Sequence, residues 1–127
     1  GQILIAPGGH QMRLQRTASG AVVRITDDPP EKSCKPSVNY LFRSAAEVYG
    51  RRTLAVMLTG MGDDGLLGCK AIKNQGGVVI AQDQASCVVF GMPRVVIENG
   101  LVDAVTPLSE IPDQILRYAA APALACR

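Results

Sequence analysis

Two adjacent carboxylates, Asp63 and Asp64, sit inside the glycine run Gly60-Met61-Gly62-Asp63-Asp64-Gly65, directly after the apolar stretch Leu54-Ala55-Val56-Met57-Leu58. A carboxylate held where a strand gives way to a helix can orient an imidazole and stabilise its charged form, the task of the acid in nucleophilic hydrolysis. Aspartate also suits a plainer role there, as a helix N-cap. The spacing points to a third chemistry. G-x-G-x-x-G after a strand is the phosphate-binding turn of dinucleotide domains, and Asp83, after the apolar run Val78-Val79-Ile80-Ala81, stands roughly where such a fold places its ribose ligand. Asp63 and Asp64 argue against a pyrophosphate, because like charges in a confined site repel strongly once water is excluded.

The elements that must position these residues can be read from periodicity. Ile3-Leu4-Ile5-Ala6, stopped by Pro7-Gly8-Gly9, and Ala21-Val22-Val23-Arg24-Ile25 are expected strands. Residues 26–36, with Asp27-Asp28-Pro29-Pro30, form a loop that ends at Ser37, a plausible N-cap. From Val38 to Tyr49 the apolar residues Val38, Leu41, Phe42, Ala45 and Val48 recur at helical spacing, and Gly50 stops the run. A strand over 53–58, the glycine turn, a helix from about Asp64 or Gly65 to Gln75 and a strand over 78–81 make a β-α-β unit, which implies parallel strands buried on both faces. A short helix from Met92 to Glu98 carrying Pro93, a strand from Leu101 to Val105 and a helix from Leu108 to Ala121 complete the pattern. The last helix offers Ile111, Ile115, Leu116 and Tyr118 to cover the sheet.

Composition narrows the class. The 127 residues, 47% of them hydrophobic and with a net charge of +2, suffice for one core and give no sign of an interdomain linker. Thirteen Lys and Arg scattered among eleven acids, with five aromatics, do not make a nucleic-acid surface, so none is expected as a partner. No apolar run reaches the ~18 residues of a membrane helix, and the N-terminus carries no secretory signal pattern, so the chain is expected in the cytoplasm without membrane insertion. Cys34, Cys69, Cys87 and Cys126 lack C-x-x-C spacing and His10 is the single histidine, which argues for free or buried thiols rather than zinc.

Three ordered motifs carry a resemblance: Leu58-Thr59-Gly60-Met61-Gly62-Asp63-Asp64-Gly65, Ile80-Ala81-Gln82-Asp83 and Ser86-Cys87-Val88-Val89-Phe90-Gly91-Met92-Pro93. Ile5-Ala6-Pro7-Gly8-Gly9-His10 and Lys35-Pro36-Ser37-Val38 add to it. The chain resembles, over essentially its whole length, the catalytic domain of the chemotaxis protein-glutamate methylesterases, the CheB family. That resemblance implies a three-layer α/β/α, doubly wound, mostly parallel sheet of Rossmann-like type with a β-hairpin. It implies hydrolysis of glutamate methyl esters on the cytoplasmic helices of chemoreceptors, in some members also glutamine deamidation, by a Ser-His-Asp triad without a cofactor or metal. The triad aspartate carries over to Asp64, with Asp63 a neighbour without a direct role. By the same resemblance Met61, with Gly60 and Gly62, is expected to wall the pocket or lend a backbone N–H to an oxyanion, and Met92 to border it. The plainer readings are a gap-filling core methionine for Met61, turn geometry for Gly60, Gly62 and Gly65, and a helix start for Met92.

The chain departs from the pattern in one respect. In the family the nucleophilic serine and the triad histidine lie upstream of the part matched here. His10 does not correspond to that histidine, and Ser19, Ser33, Ser37, Ser44, Ser86 and Ser109 lack G-x-S-x-G context. Residues 1–127 therefore read as the C-terminal portion of a methylesterase catalytic domain, truncated on its N-terminal side and without a receiver domain. Alone, such a piece is expected to show no turnover. Its cut sheet is expected to present open edges and apolar faces, which favour a homo-oligomer or pairing with the missing N-terminal half. A non-catalytic binding or regulatory module on the same scaffold is the alternative.

Overall fold

A computed structural model describes residues 1–120. Two strands, β1 (Gln11–Thr17) and β2 (Gly20–Thr26), form an antiparallel hairpin with Met12 opposite Ile25 and Thr17 opposite Gly20. A second sheet holds β3 (Leu54–Met57), β4 (Val78–Gln82) and β5 (Ala104–Thr106), all parallel, with β4 in the middle. Registers pair Ala55 with Val79 and Ile80 with Ala104. The helices are α1 (Val38–Tyr49), α2 (Leu66–Asn74), α3 (Met92–Glu98) and α4 (Ile111–Ala120), the last entered through a 3₁₀ turn over Leu108–Glu110.

Strand alternation distributes the core between two faces. Ala55, Met57, Val79 and Ala81 point one way, into a cluster with Ala46 of α1, Cys69 and Ile72 of α2 and Val96 of α3. Ile80 alternates to the other face, the side on which α4 crosses β3 and β4 and buries Ile111. Helices thus flank a parallel sheet, the architecture the β-α-β pattern predicts. The middle strand is apolar because both its faces are covered: Val79, Ile80 and Ala81 are fully buried.

The expected strand over Ile3-Leu4-Ile5-Ala6 does not form. That stretch is irregular, and Ile3 and Ile5 are 95% and 89% exposed. An apolar run encodes a need for burial; a strand also needs a neighbour's N–H and C=O groups, and among the described residues this stretch pairs with none. Conversely β1 went unpredicted, because Gln-Met-Arg-Leu-Gln-Arg-Thr has few apolar residues and its order comes from β2 and α1. Leu14 N–H donates to Ser44 Oγ of α1 (2.9 Å) and the Arg16 guanidinium to the Val48 carbonyl. The last strand is shorter than expected and shifted toward the C-terminus. In α4, Leu116 stays 67% exposed rather than covering the sheet, while Ala121 and Cys126 lie outside the described residues.

Candidate functional site

The parallel strands end on two loops that lock together. Gly60 N–H donates to the Val89 carbonyl (3.0 Å), and the Gly60 carbonyl accepts from Gly91 N–H (3.1 Å) and Met92 N–H (2.8 Å). Buried Gln82, at the end of β4, accepts from Thr59 N–H (2.8 Å) and donates to the Ser86 carbonyl (2.8 Å). The C-terminal ends of the strands are where open α/β sheets place their sites, and here they carry a turn, Gly60 to Gly65, held by the Val89-to-Met92 loop.

Asp64 is the buried member of the acidic pair, 7% exposed. The plainer reading of Asp64 as the cap of its own helix is corrected: Gly65 stands at the cap of α2, and among the described residues the N–H and hydroxyl donors to Asp64 come from the start of α1, with the Cys34 thiol also set against the carboxylate. Oδ1 accepts from Ser37 Oγ (2.8 Å) and Asn39 N–H (3.0 Å), and Oδ2 from Val38 N–H (2.7 Å). Ser37 is the cap its sequence position predicts, accepting from Tyr40 N–H (3.3 Å). Its own N–H is held by buried Gln11 Oε1 (2.8 Å). A carboxylate has about four acceptor positions. Among the described residues Oδ1 takes two N–H or O–H donors and Oδ2 one, with the Cys34 thiol beside them.

Asn39 answers from the opposite side. Its Oδ1 accepts from Gly65 N–H and Gly68 N–H, both at 2.9 Å, so it satisfies the first turn of α2 while Asp64 satisfies the first turn of α1. The helices must approach closely for this exchange. A Cβ on Gly68 would stand 2.6 Å from Phe42 Cβ, and one on Gly65, where φ is +106°, 2.4 Å from Met57 Cε.

This arrangement also disposes of the dinucleotide reading. The helix N-terminus that would meet a pyrophosphate is filled by the Asn39 side chain. Asp83, the would-be ribose ligand, is turned onto Ser86, accepting from its N–H (3.0 Å) and its hydroxyl.

The other named residues fall at the rim. Met61 is 86% exposed, so it fills no core gap. Gly62 is exposed with φ +92°, and among the described residues the N–H groups of Met61 and Gly62 have no hydrogen-bond partner, whereas that of Gly60 is used. Met92 opens α3 with its Sδ packed over Gly60, bordering the turn from below. Asp63 points outward to Lys32 Nζ (2.8 Å), and that ammonium holds its carboxyl below the usual range.

Lys32 and Ser33 occupy left-handed backbone, φ +53° and +62°, in a turn closed by mutual Glu31 and Cys34 backbone bonds. The Arg43 guanidinium forks onto Glu31 and holds its carboxyl low. Burial, with the Asp64 charge nearby, pushes the Cys34 thiol up. His10 pairs with Asp27 (2.7 Å) on the surface, away from Asp64's contacts.

The model of the CheB methylesterase family matches residues 1–115. The chain belongs to the CheB methylesterase family. Among its relatives are the protein-glutamate methylesterase/protein-glutamine glutaminase 1 of Rhodospirillum rubrum, 50% identical over 94% of this chain and 31% of that protein, and the corresponding Desulfotalea psychrophila protein, 47% identical over 88% and 31%. The chain therefore spans about a third of the length of these curated relatives. The crystal structure of the Thermotoga maritima CheB methylesterase catalytic domain superposes with a TM-score of 0.86 at 38% identity, covering 88% of this chain and 59% of that one. This CheB-family fold is the α/β class expected from the motifs. What sequence reasoning missed in it are the roles of Asn39, Gln11 and Gln82: Asn39 reads as an ordinary helix position, Gln11 falls in a strand the pattern does not mark, and Gln82 stands in a motif without a role of its own, yet all three are buried.

Proposed function

We propose that this chain supplies the acid of a Ser-His-Asp triad in a protein-glutamate methylesterase, with the serine and histidine contributed by sequence upstream of it. The observation that carries the reading is Asp64: a buried carboxylate at the C-terminal end of a parallel sheet, fixed by three N–H and hydroxyl donors, only one of them on Oδ2. An imidazole N–H on that oxygen would be held in one tautomer, its other nitrogen free to take the serine proton. The serine oxygen would attack the ester carbonyl, methanol would leave with the proton from the imidazolium, and water would release the acyl group by the same route. The unpartnered N–H groups of Met61 and Gly62 are the candidates to receive the carbonyl oxygen as it becomes negative.

Methylated glutamates on chemoreceptor cytoplasmic helices are the proposed substrate, consistent with the names of the relatives, and receptor glutamine would be deamidated by the same steps with ammonia leaving. Residues 1–127 would be the C-terminal portion of that catalytic domain. No helix among the described residues is long and apolar enough to cross a membrane, which fits a water-exposed place of action. Exposed Ile3, Ile5, Leu58 and Val88 fit a surface covered by the upstream half or by a second copy.

The test is hydrolysis of a methylated receptor fragment. The chain alone should give no turnover, and the chain joined to its upstream sequence should turn over and lose activity by about 10³-fold or more in Asp64→Asn. Turnover by residues 1–127 alone that vanished in Asp64→Ala would overturn the reading. Binding of the receptor fragment without turnover by the joined protein would favour a regulatory module instead.

A further inference from the structure

The two helix starts hold each other through exchanged side chains, and the exchange passes through the atom the chemistry would use. Asp64, one residue before the cap of α2, accepts from Ser37 Oγ and from the first two N–H groups of α1. Asn39, in the first turn of α1, accepts from Gly65 N–H and Gly68 N–H of α2. Both acceptors are buried, and Asn39 is fully so. Its oxygen assignment follows from its partners, since both are N–H donors and only the amide oxygen can accept from them. An ordinary N-cap holds its own helix, as Ser37 does for α1; here each helix start is also held by a side chain from the other's start.

From this crossed pair we infer that Ser37 and Asn39 are positioning residues for Asp64. Ser37 Oγ and Asn39 N–H both bind Oδ1, which fixes the direction of the carboxylate and leaves Val38 N–H as the one N–H or hydroxyl donor on Oδ2. Asn39 fixes the backbone carrying Asp64 by pinning the residue after it, Gly65. A carboxylate released from either grip gains rotation about its side-chain torsions, and the imidazole it orients loses its fixed direction. Misplacement on this scale slows a reaction while leaving substrate contacts intact. Lys32, whose contact runs to Asp63 at the surface, lies outside the pair and serves as a control.

The inference rests on the reading of Asp64 as the triad acid, and the experiment separates the two. In the protein joined to its upstream sequence, kcat and KM for the methylated receptor fragment are measured for Ser37→Ala, Ser37→Thr, Asn39→Leu, Asn39→Asp, Asp64→Asn and Lys32→Ala, with thermal unfolding run in parallel. Ser37→Ala should lower kcat about tenfold with KM within about twofold, and Ser37→Thr, which keeps the hydroxyl, should recover most of it. Asn39→Leu should lower kcat further, and Asn39→Asp, which keeps an acceptor for Gly65 and Gly68 but sets a second buried charge beside Asp64, should not recover it. Lys32→Ala should change neither constant. A merely structural role would lower the unfolding temperature of the Ala and Leu variants and leave kcat per folded molecule unchanged; that result, with Asp64→Asn still inactive, would overturn the inference alone. An active Asp64→Asn would overturn the reading beneath it. Should Asn39→Leu fail to fold, the Ser37 pair decides.

Discussion

The junction of α1 and α2 and the turn over Gly60-Met61-Gly62 are separated by a residue or two of chain, and they manage backbone N–H groups in opposite ways. At the junction, Val38, Asn39, Gly65 and Gly68 all donate to buried side-chain acceptors. At the turn, Met61 is exposed and the N–H groups of Met61 and Gly62 are left to whatever approaches from outside. Leaving a buried donor unpaired costs about 1–3 kcal/mol, so a buried helix start must be closed; a solvent-facing turn carries no such penalty because water satisfies it. The closed region gives a carboxylate a fixed direction, and the open one offers donors that a reacting oxygen can claim. A hydrolytic site needs both, and here the chain places them side by side.

The comparison breaks most readily at the junction. Asn39→Leu strands two buried N–H groups and should destabilise the fold by about 3 kcal/mol or more, read as the shift in a urea unfolding midpoint; a loss under about 1 kcal/mol would mean that water reaches the junction and that it is not closed. Next in size is Gly68→Ala. Its Cβ would meet Phe42 Cβ at 2.6 Å and the Asn39 backbone at 3.2 Å, so the helices must separate, at a cost of about 1–3 kcal/mol.

A smaller effect follows from the ion pairs beside the junction. The carboxyls of Glu31 and Asp63 are held low by Arg43 and Lys32, so the stability they contribute is present above the ordinary carboxylate range and is lost as pH falls through their depressed folded values. Urea midpoints measured from neutral pH to below about pH 4 should therefore decline, and Glu31→Gln should flatten part of that decline. An unchanged slope would show that the Arg43 fork does not persist in solution. Smallest of all is Met61→Ala, which should move stability by no more than about 0.5 kcal/mol, because the side chain is in water. A larger loss would mean that the turn is packed and that the contrast between the two regions is wrong.

Thiol reactivity sharpens the same contrast. Burial pushes the Cys69 thiol up to about 12, and it lies in α2 just behind the junction. At about pH 8 it should resist alkylation in the native protein, because its thiolate is scarce and enclosed, and Asn39→Leu should expose it. Rapid labelling of Cys69 in the unsubstituted protein, followed by mass mapping, would contradict the closed junction.

How much of this was legible beforehand differs by element. Helix α1 was predicted at its observed bounds, since Val38, Leu41, Phe42, Ala45 and Val48 mark a local period and Ser37 and Gly50 mark its ends. The β3-α2-β4 unit was legible for the same reason: strand, turn and helix signals are each confined to a few neighbouring residues. Ile3 to Ala6 read as a strand and is none, while β1 was overlooked, because strand pairing depends on a partner that local composition does not name. Asp64 was singled out by its motif, but the plainer reading tied it to the wrong helix. Nothing in the spacing of Ser37, Asn39 and Asp64 says that positions 25 to 27 apart exchange hydrogen bonds.

By itself the sequence determined the class of fold, the order of the central elements, the family and the place of the acidic turn, because apolar periodicity, caps and glycine turns act over a few residues. Only the tertiary structure decided which helix holds Asp64, that Asn39 fills the phosphate-like cradle of α2, and that Met61 faces solvent. Those outcomes are set by which buried polar groups come within about 3 Å of one another, and at that range packing, not local sequence, chooses the partners.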